Sequence, residues 1–172
     1  MRDEQKLIGQ CLSGDRRAEK QLYDTYSALF FGICLRYAAC REEAEDMLVT
    51  GFTRIFANLS TYRKNGSFEG WMKRIIVNNA IDQLRSRRES ESLPPDATPA
   101  VPNSGLQKLE VRDVMACIRQ LPDLLRTVFN LHAVEGFSHK EIAGMLQMNE
   151  SSVRVYFFKA KKQLQEMLKD YR

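Results

Sequence analysis

The residues with the most distinctive chemistry in this sequence are small hydroxyls and cations near the start of its last predicted helix. Ser151 and Ser152 open that helix, and Arg154 and Lys159 follow at helical spacing. Short hydroxyls allow base edges to approach closely, whereas Arg and Lys reach phosphates. Such a helix start is typical of an element that reads DNA in the major groove.

Two predicted helix caps position this helix. Ser138 precedes Glu141 by three residues, which is the spacing of a capping box, and Asn149 can cap the next helix. Only Gln147 and Met148 separate the two helices, so a helix-turn-helix is predicted. An ordinary amphipathic hairpin with a solvated basic end is the alternative that the helical pattern leaves open.

A second candidate surface lies on the helix predicted over residues 68–88. Trp71, Ile75, Ala80 and Leu84 are expected to face inward, with Trp71 at least partly buried. The opposite face carries amides and arginines, which suit unpaired bases that stack on rings and expose their edges. The residues expected on this outer face are Arg74, Asn78, Asn79, Asp82 and Arg85.

Three earlier helices are predicted from apolar residues that recur every three or four positions. The third begins with a cluster of acidic residues, which either reflects the preference of carboxylates for helix N-termini or forms a surface for a partner. The predicted stripes are Leu7, Ile8, Cys11 and Leu12; Ala18, Leu22, Tyr26, Leu29, Ile33 and Tyr37; and Ala44, Leu48, Phe52, Ile55 and Leu59. The acidic residues are Glu42, Glu43, Glu45 and Asp46.

The composition divides the chain into two small helical domains. Residues 89–105 contain four of the five prolines and no Lys or Arg, so a flexible tether is predicted there. The net charge is +4 over residues 1–88, −3 over the tether and +3 over residues 106–172. Two basic domains joined by an acidic spacer are what a protein with two nucleic-acid contacts would show.

Several function classes are excluded or disfavoured by what the sequence lacks. No run of about 18 apolar residues and no signal-peptide core is present, so a soluble cytoplasmic protein is expected. The four cysteines are scattered without a CxxC pair, which disfavours a zinc site or a disulfide framework. No Walker loop, GxSxG or paired metal-binding motif accompanies the two histidines. We therefore expect no enzyme activity, no catalytic or metal-binding residues and no cofactor.

Two segments together resemble the sigma-70 family of bacterial transcription factors. LPDLLRTVFNLHAVEGFSHKEIAGMLQMNESSVRVYFFKAKKQLQ resembles sigma region 4. Because only the proline-rich tether separates the two segments, the chain resembles the extracytoplasmic-function (group IV) sigma factors. The residues that resemble region 2 are Glu45, Asp46, Met47, Leu48, Phe52, Phe56, Tyr62, Arg63, Phe68, Trp71, Arg74, Ile75, Asn78, Asp82 and Arg85.

This resemblance implies a two-domain all-α protein that binds core RNA polymerase through the β′ and β subunits and recognises promoter DNA. It also implies an anti-sigma partner. The implied polymerase-binding residues are Glu45, Asp46, Val49, Phe52, Thr53 and Phe56. The implied −10 residues are Tyr62, Arg63, Lys64, Trp71, Arg74, Asn78, Asn79, Asp82 and Arg85. The implied −35 residues are Ser138, His139, Lys140, Ser151, Ser152, Arg154, Val155, Tyr156, Lys159 and Lys162.

The sequence departs from the family pattern at a few positions. Val49 and Thr50 replace a polar pair such as Gln-Glu, Gln147 replaces the common turn glycine, and Ser151 replaces a glycine in the recognition helix. Promoter preference therefore cannot be copied from relatives. The alternative function is a stand-alone regulator that binds a palindrome as a dimer. The predicted single-strand face argues against it.

Overall fold

The computed structural model describes the backbone of residues 2–90 and 111–171 and the side chains of residues 3–86 and 114–169. Within these ranges the secondary structure is helical, with eight α-helices and no strand. The helices form two units, α1 to α4 and α5 to α8. The predicted all-α fold with two small helical domains is confirmed. The predicted tether lies outside the described residues, except for its first two.

The first unit contains four helices: α1 (Arg2–Leu12), α2 (Arg16–Cys34), α3 (Arg41–Asn58) and α4 (Phe68–Ser90). Asp15 caps α2, because its carboxylate accepts a hydrogen bond of 2.9 Å from the backbone N–H of Arg17. A 3-10 turn (Leu59–Thr61) follows α3. Helix α4 continues two residues beyond the predicted end at 88, since no helix-breaking residue precedes Pro94.

Most residues of the predicted stripes are buried in the core of this unit, but parts of the buried stripes of α2 and α4 are offset by one residue from the predicted ones. Leu29 is exposed and Phe30 is fully buried in its place, so the stripe of α2 turns by one residue. Leu12, at the last position of α1, is also exposed rather than packed. On α4 Met72 and Ile76 are among the fully buried positions, whereas the predicted Trp71 and Ile75 lie half-buried at the edge of the core.

Helices α3 and α4 pack most closely at a glycine. A Cβ atom built on Gly51 would lie 2.5 Å from Cδ1 of Ile76 and 3.7 Å from Nδ2 of Asn79. Any side chain at residue 51 would require the buried Ile76 side chain to shift, so glycine lets Ile76 pack directly against the backbone of α3.

The second unit consists of α5 (Val111–Gln120), α6 (Asp123–Phe129), α7 (His139–Leu146) and α8 (Glu150–Met167). Pro122 precedes α6 as its N-cap, where its fixed φ suits a helix start. After α6 the chain continues as a wider π-helical turn, Asn130–Val134. A 3-10 turn (Leu168–Tyr171) follows α8. The buried core contains Cys117, Ile118, Leu121, Leu125, Ala160 and Leu164.

Candidate polymerase and nucleic-acid interfaces

The acidic start of α3 forms an open surface. Glu45 and Asp46 are exposed, and Arg41 donates to Glu45 across one helical turn at 2.9 Å. Both side chains of that ion pair are more than half exposed, so it contributes little stability and leaves the carboxylate accessible. Backbone N–H donation and the Cys40 thiol lower the pKa of Glu42, which keeps this carboxyl ionised. The surface therefore carries a concentrated negative charge.

Four of the six predicted polymerase-binding residues are exposed along this helix, and two are not. Val49 is 59% exposed and Thr53 lies beside it in solvent, but Phe56 is only partly exposed. Phe52 is 3% exposed, with its ring 4.6 Å from that of Tyr23. Phe52 therefore lies in the core beneath this surface rather than on it. It lies four residues after Leu48 in the predicted core stripe, which was the signal for its burial.

The loop before α4 presents an aromatic cluster. The ring of Tyr62 lies 5.1 Å from that of Phe68 and 5.5 Å from that of Trp71, and the latter two stack at 5.7 Å. Phe68 is buried, whereas Tyr62 and Trp71 are partly exposed. The hydroxyl of Tyr62 donates to the Gly66 carbonyl at 3.0 Å, which closes the loop around the rings. Two accessible rings on a buried third form a surface on which a base can stack.

Cations surround this aromatic cluster. Arg63 and Lys64 are exposed in the loop, and Arg74 is exposed one turn after Trp71 on α4. The backbone of Lys64 has φ 59°, a left-handed conformation that helps to turn the loop. The structure therefore brings together rings for stacking and charges for phosphates, as the sequence predicts for this segment.

Four of the five residues predicted on the outer face of α4 are exposed or partly exposed. Arg74, Asn78 and Asp82 are exposed and Arg85 is partly so. Asn79 is 0% exposed, and its Nδ2 donates to the Met47 carbonyl of α3 at 2.9 Å. The prediction that Asn79 lies on the outer face of α4 is therefore wrong. The inner stripe of α4 contains Phe68, Met72 and Ile76, and Asn79 continues it. This stripe lies one residue away from the stripe predicted to contain Trp71.

Asp82 is held by a residue that the sequence did not single out. Arg54 of α3 donates to its carboxylate at 2.6 Å, and both side chains are about half exposed. The pair neutralises the one carboxylate on a face that otherwise carries amides and cations. Arg54 is 28 residues away in sequence, so no local pattern could indicate the contact.

The helix-turn-helix has both predicted caps. Ser138 and Glu141 form the reciprocal capping box, with the Ser138 hydroxyl accepting from the Glu141 N–H at 3.2 Å. The side chain of Asn149 accepts from the Ser152 N–H at 2.7 Å. Gln147 adopts the left-handed conformation (φ 52°, ψ 46°) that ends α7. Gln147 and the Asn149 cap therefore define the turn between α7 and α8, and the capping box defines the start of α7.

Helix α8 buries one side and exposes the other. Val153, Ala160 and Leu164 are buried, as predicted. The predicted reading residues Ser151, Arg154, Val155, Lys159 and Lys162 are exposed, and Ser152 is partly so. Ser138 and Lys140 are exposed at the start of α7.

Tyr156 and Phe158 depart from the predicted face. Tyr156 is half-buried and packs against the core of the second unit, so only part of it reaches solvent. Phe158 is 68% exposed, which makes it the most exposed large apolar side chain in the described ranges. Its position three residues after Val155 was the signal that could have placed it on the open face.

Arg154 is already engaged within the protein. It donates to Glu150 one turn earlier at 2.6 Å, and this hydrogen bond lowers the pKa of the Glu150 carboxyl. A partner phosphate must therefore compete with Glu150 for this guanidinium.

The two histidines form a cluster with Phe157. The His132 and His139 rings stack at 4.2 Å, and Phe157 lies edge-on to His132 at 4.6 Å. His132 is thus packed between two rings. The Nε2 atom of His139 is buried without a hydrogen-bond partner, so this nitrogen is not available to a phosphate.

Two further features concern the described residues as a whole. Three cysteines are buried and Cys40 is exposed, and each of the four is a free thiol. In the ranges for which side chains are described, His, Cys, Asp and Glu do not group into threes that could hold a metal ion. None of the described helices is long and apolar enough to cross a membrane.

Comparison with known proteins identifies both units. The Sigma-70 region 2 family matches residues 22–90, and the Sigma-70 region 4 family matches residues 112–164. The RNA polymerase sigma-H factor of Pseudomonas aeruginosa is 29% identical over 96% of this chain and 93% of its own length. The ECF RNA polymerase sigma factor SigW of Bacillus subtilis is 26% identical over 96% of both chains.

Solved structures share the fold. One is the sigma factor RpoE of Bartonella quintana in complex with the anti-sigma factor NepR, with a TM-score of 0.58 and 19% identity over 89% of this chain and 98% of that one. Another is CnrH in complex with the cytosolic domain of CnrY, with a TM-score of 0.55 and 22% identity over 96% and 97%. With both sigma regions matched in order over most of its length, the chain belongs to the extracytoplasmic-function (ECF) sigma factors of the sigma-70 family, which direct promoter-specific initiation of transcription.

Proposed function

We propose that each surface described above performs one part of promoter-specific initiation. The exposed residues of α3 bind core RNA polymerase, the loop and outer face of α4 bind the melted −10 element, and the start of α7 with the open face of α8 binds the −35 element. The exposed N-terminal half of α8 carries this proposal, because caps and core contacts hold the helix while its reading residues remain in solvent.

The polymerase surface is assigned to Glu45, Asp46, Val49 and Thr53, with Phe56 at its edge. Val49 replaces a polar residue of the family pattern, so an apolar contact lies inside an acidic rim. Phe52 supports this face from beneath rather than touching the partner. Negative charge speeds association with a basic partner, and the apolar centre slows dissociation.

The −10 surface is assigned to Tyr62, Arg63, Lys64, Trp71, Arg74, Asn78 and Arg85, with the Arg54–Asp82 pair at its border. Promoter melting by this surface needs no bond chemistry. Stacking of an extruded base on the exposed rings, together with phosphate contacts, offsets the few kcal/mol required to unstack a base pair. We therefore propose that the protein acts by binding alone and is not an enzyme.

The −35 surface is assigned to Ser138, Lys140, Ser151, Ser152, Arg154, Val155, Tyr156, Lys159 and Lys162. His139 is left out, because its buried nitrogen faces the interior. We also propose that the protein works in the cytoplasm, where RNA polymerase and promoters are found. An anti-sigma protein is a further proposed partner, since one solved structure similar in fold holds a sigma factor in complex with the anti-sigma factor NepR.

Charge reversal tests the polymerase surface. Asp46→Lys should weaken binding to sigma-free core polymerase by about tenfold or more, because it replaces an attractive contact with a repulsive one. Asp24→Lys provides a matched control, since Asp24 is exposed on α2 away from this surface. Equal affinities of the two variants for core polymerase, measured by fluorescence anisotropy, would contradict the assignment.

Salt dependence tests the −35 surface. Lys159→Ala should lower affinity for a promoter duplex and reduce the slope of log K against log salt by about one, the value for one lost phosphate contact. Lys169→Ala removes an exposed lysine beyond the end of α8 and should leave the slope unchanged. If the Lys159→Ala variant keeps the slope of the unaltered protein, this lysine does not contact DNA.

A further inference from the structure

Three rings from three separate elements meet behind the recognition helix. His132 belongs to the π-helical turn, His139 is the first residue of α7, and Phe157 lies in the middle of α8. The two imidazoles stack at 4.2 Å with their planes 20° apart, and Phe157 lies 4.6 Å from His132 and 5.7 Å from His139. Any movement of one ring therefore changes the packing of α8.

The geometry suits a neutral His139 beside His132. His132 Nδ1 lies 2.8 Å from the Phe137 carbonyl oxygen, which can only accept, so Nδ1 must carry the proton. Nε2 of His139 is buried with no acceptor near it. A proton added there would lack a hydrogen bond and would face a second imidazole across the stack. Burial lowers the pKa of His139, and His132 and Arg154 lower it further.

The surrounding charges also disfavour an imidazolium. Arg154 of α8 is close enough to repel it, and Lys140 follows His139 on its own helix. The N-terminus of α7 adds the positive end of a helix dipole. Glu150 of α8 is the carboxylate that favours the charged form, but its side chain already accepts from Arg154 at 2.6 Å.

We propose that His139, stacked on His132, is a positioning residue that holds the recognition helix in its DNA-reading orientation while its own ring is neutral, so that −35 binding weakens in acid. This inference rests on the proposed role of α8. A protonated His139 leaves the stack, Phe157 loses its support, and the angle between α7 and α8 is no longer fixed.

The direction of the pH effect separates this role from a phosphate contact. A histidine that touches phosphate binds DNA more tightly when protonated, so affinity rises in acid and the salt slope grows. If the ring must instead stay neutral, the affinity for DNA falls in acid. Because the pKa of His139 is lowered in the packed state, the packed form is fully favoured above the ordinary histidine pKa of about 6.5. Below that pH, protonation increasingly favours the unpacked form.

The ring pair can be tested without DNA. The chain contains only two histidines, so an NMR titration of the full-length protein that follows the Cε1 proton of each imidazole has two signals to track. We expect the His139 signal, assigned with a His132→Gln variant, to titrate below the ordinary range. Titration at or above that range would overturn the proposal, because the ring would then accept a proton without strain.

The functional consequence needs a promoter duplex taken from a mapped start site. Between pH 7.5 and 5.5 the affinity of the unaltered protein for the duplex should fall by up to about tenfold. This limit follows because protonation of an unpacked imidazole favours the unpacked form by about that factor at pH 5.5. The variant His139→Phe keeps an aromatic ring without a titrating group, and the ratio of its affinities at the two pH values should stay near one. His139→Tyr replaces it if the first variant does not fold.

The outcomes distinguish this inference from the proposed function. Equal pH ratios for the variant and the unaltered protein, or a rise in affinity in acid, would overturn the positioning role. Absence of duplex binding at pH 7.5 by either protein would instead refute the assignment of α8 to the −35 element. The NMR titration would still report on the ring pair in that case.

Discussion

The two units hold their functional surfaces in different ways. In the second unit, local contacts set the recognition helix: Ser138 with Glu141, and Asn149 with Ser152, each within three residues. In the first unit, the surfaces on α3 and α4 depend on contacts between residues about 30 positions apart. Asn79 donates to the Met47 carbonyl, and Arg54 donates to Asp82.

This difference has a mechanical consequence. In the proposed function the first unit binds polymerase with one helix and a melted strand with the next, which requires a fixed relation between the two helices. A buried amide and a glycine contact lie between them. The second unit is proposed to read duplex DNA with α8, whose start is capped by Asn149. We therefore expect substitutions to be costly at long-range contacts in the first unit and mild at caps in the second.

The largest effect is expected for two adjacent asparagines with opposite surroundings. Asn79→Asp places a carboxylate beside the Met47 carbonyl in the core and should cost about 3–5 kcal/mol at pH 7. Burial would raise the pKa of the new carboxyl, so the loss should shrink as pH falls toward about 4. Urea unfolding followed by the single tryptophan, Trp71, reports on the first unit alone.

Asn78→Asp is the matched control, because Asn78 is exposed on the same helix. Its unfolding free energy should change by no more than about 0.5 kcal/mol. It should nevertheless weaken binding to a single-stranded −10 oligonucleotide in the polymerase complex. Equal stability losses for the two substitutions would contradict the buried role of Asn79.

A smaller effect is expected at the glycine contact between α3 and α4. Gly51→Leu forces the helices apart at Ile76 and should cost about 1–3 kcal/mol in the same tryptophan-monitored unfolding. Gly32→Leu places the same side chain on α2, where a Cβ meets nothing within 4 Å. That change should be neutral or stabilising through helix propensity. The reverse order of stabilities would show that α3 and α4 are not held by close approach.

The smallest effect is expected at the caps of the second unit. Ser138→Ala should lower the stability of this unit by about 1 kcal/mol, because the Glu141 N–H loses its acceptor. Ser138→Asp retains an acceptor and should recover most of the loss. Amide hydrogen exchange across α7 measures the stability of both variants. Unfolding monitored by Trp71 should be unchanged, and a change there would mean that the two units do not unfold independently.

The same contrast explains which features could be predicted from the sequence. Caps and their spacing are local, so the helix-turn-helix, the capping box at Ser138 and the cap at Asn149 were predicted correctly. The core stripe of α3 was also correct. The left-handed Gln147 ends α7 although glycine is the usual residue, because a single turn residue can tolerate that conformation.

The errors arise where tertiary contacts decide the orientation of a helix. Asn79 was assigned to the outer face because it is polar, but the rotation of α4 about its axis places it against α3. For Phe52 the sequence indicates both a core position and a partner contact, and its burial shows that the side chain lies in the core. The contact between His132 and His139 joins two elements across a loop, and neither residue alone indicates a ring stack.

Run-off transcription tests the central claim most directly. The full-length protein would be mixed with sigma-free bacterial core polymerase and genomic fragments, and transcripts would be mapped. Discrete start sites that appear only when the protein is added, each with shared −35 and −10 sequences, are the predicted result. Absence of stimulation, together with tight duplex binding by the protein alone, would contradict the account and indicate a stand-alone DNA-binding regulator.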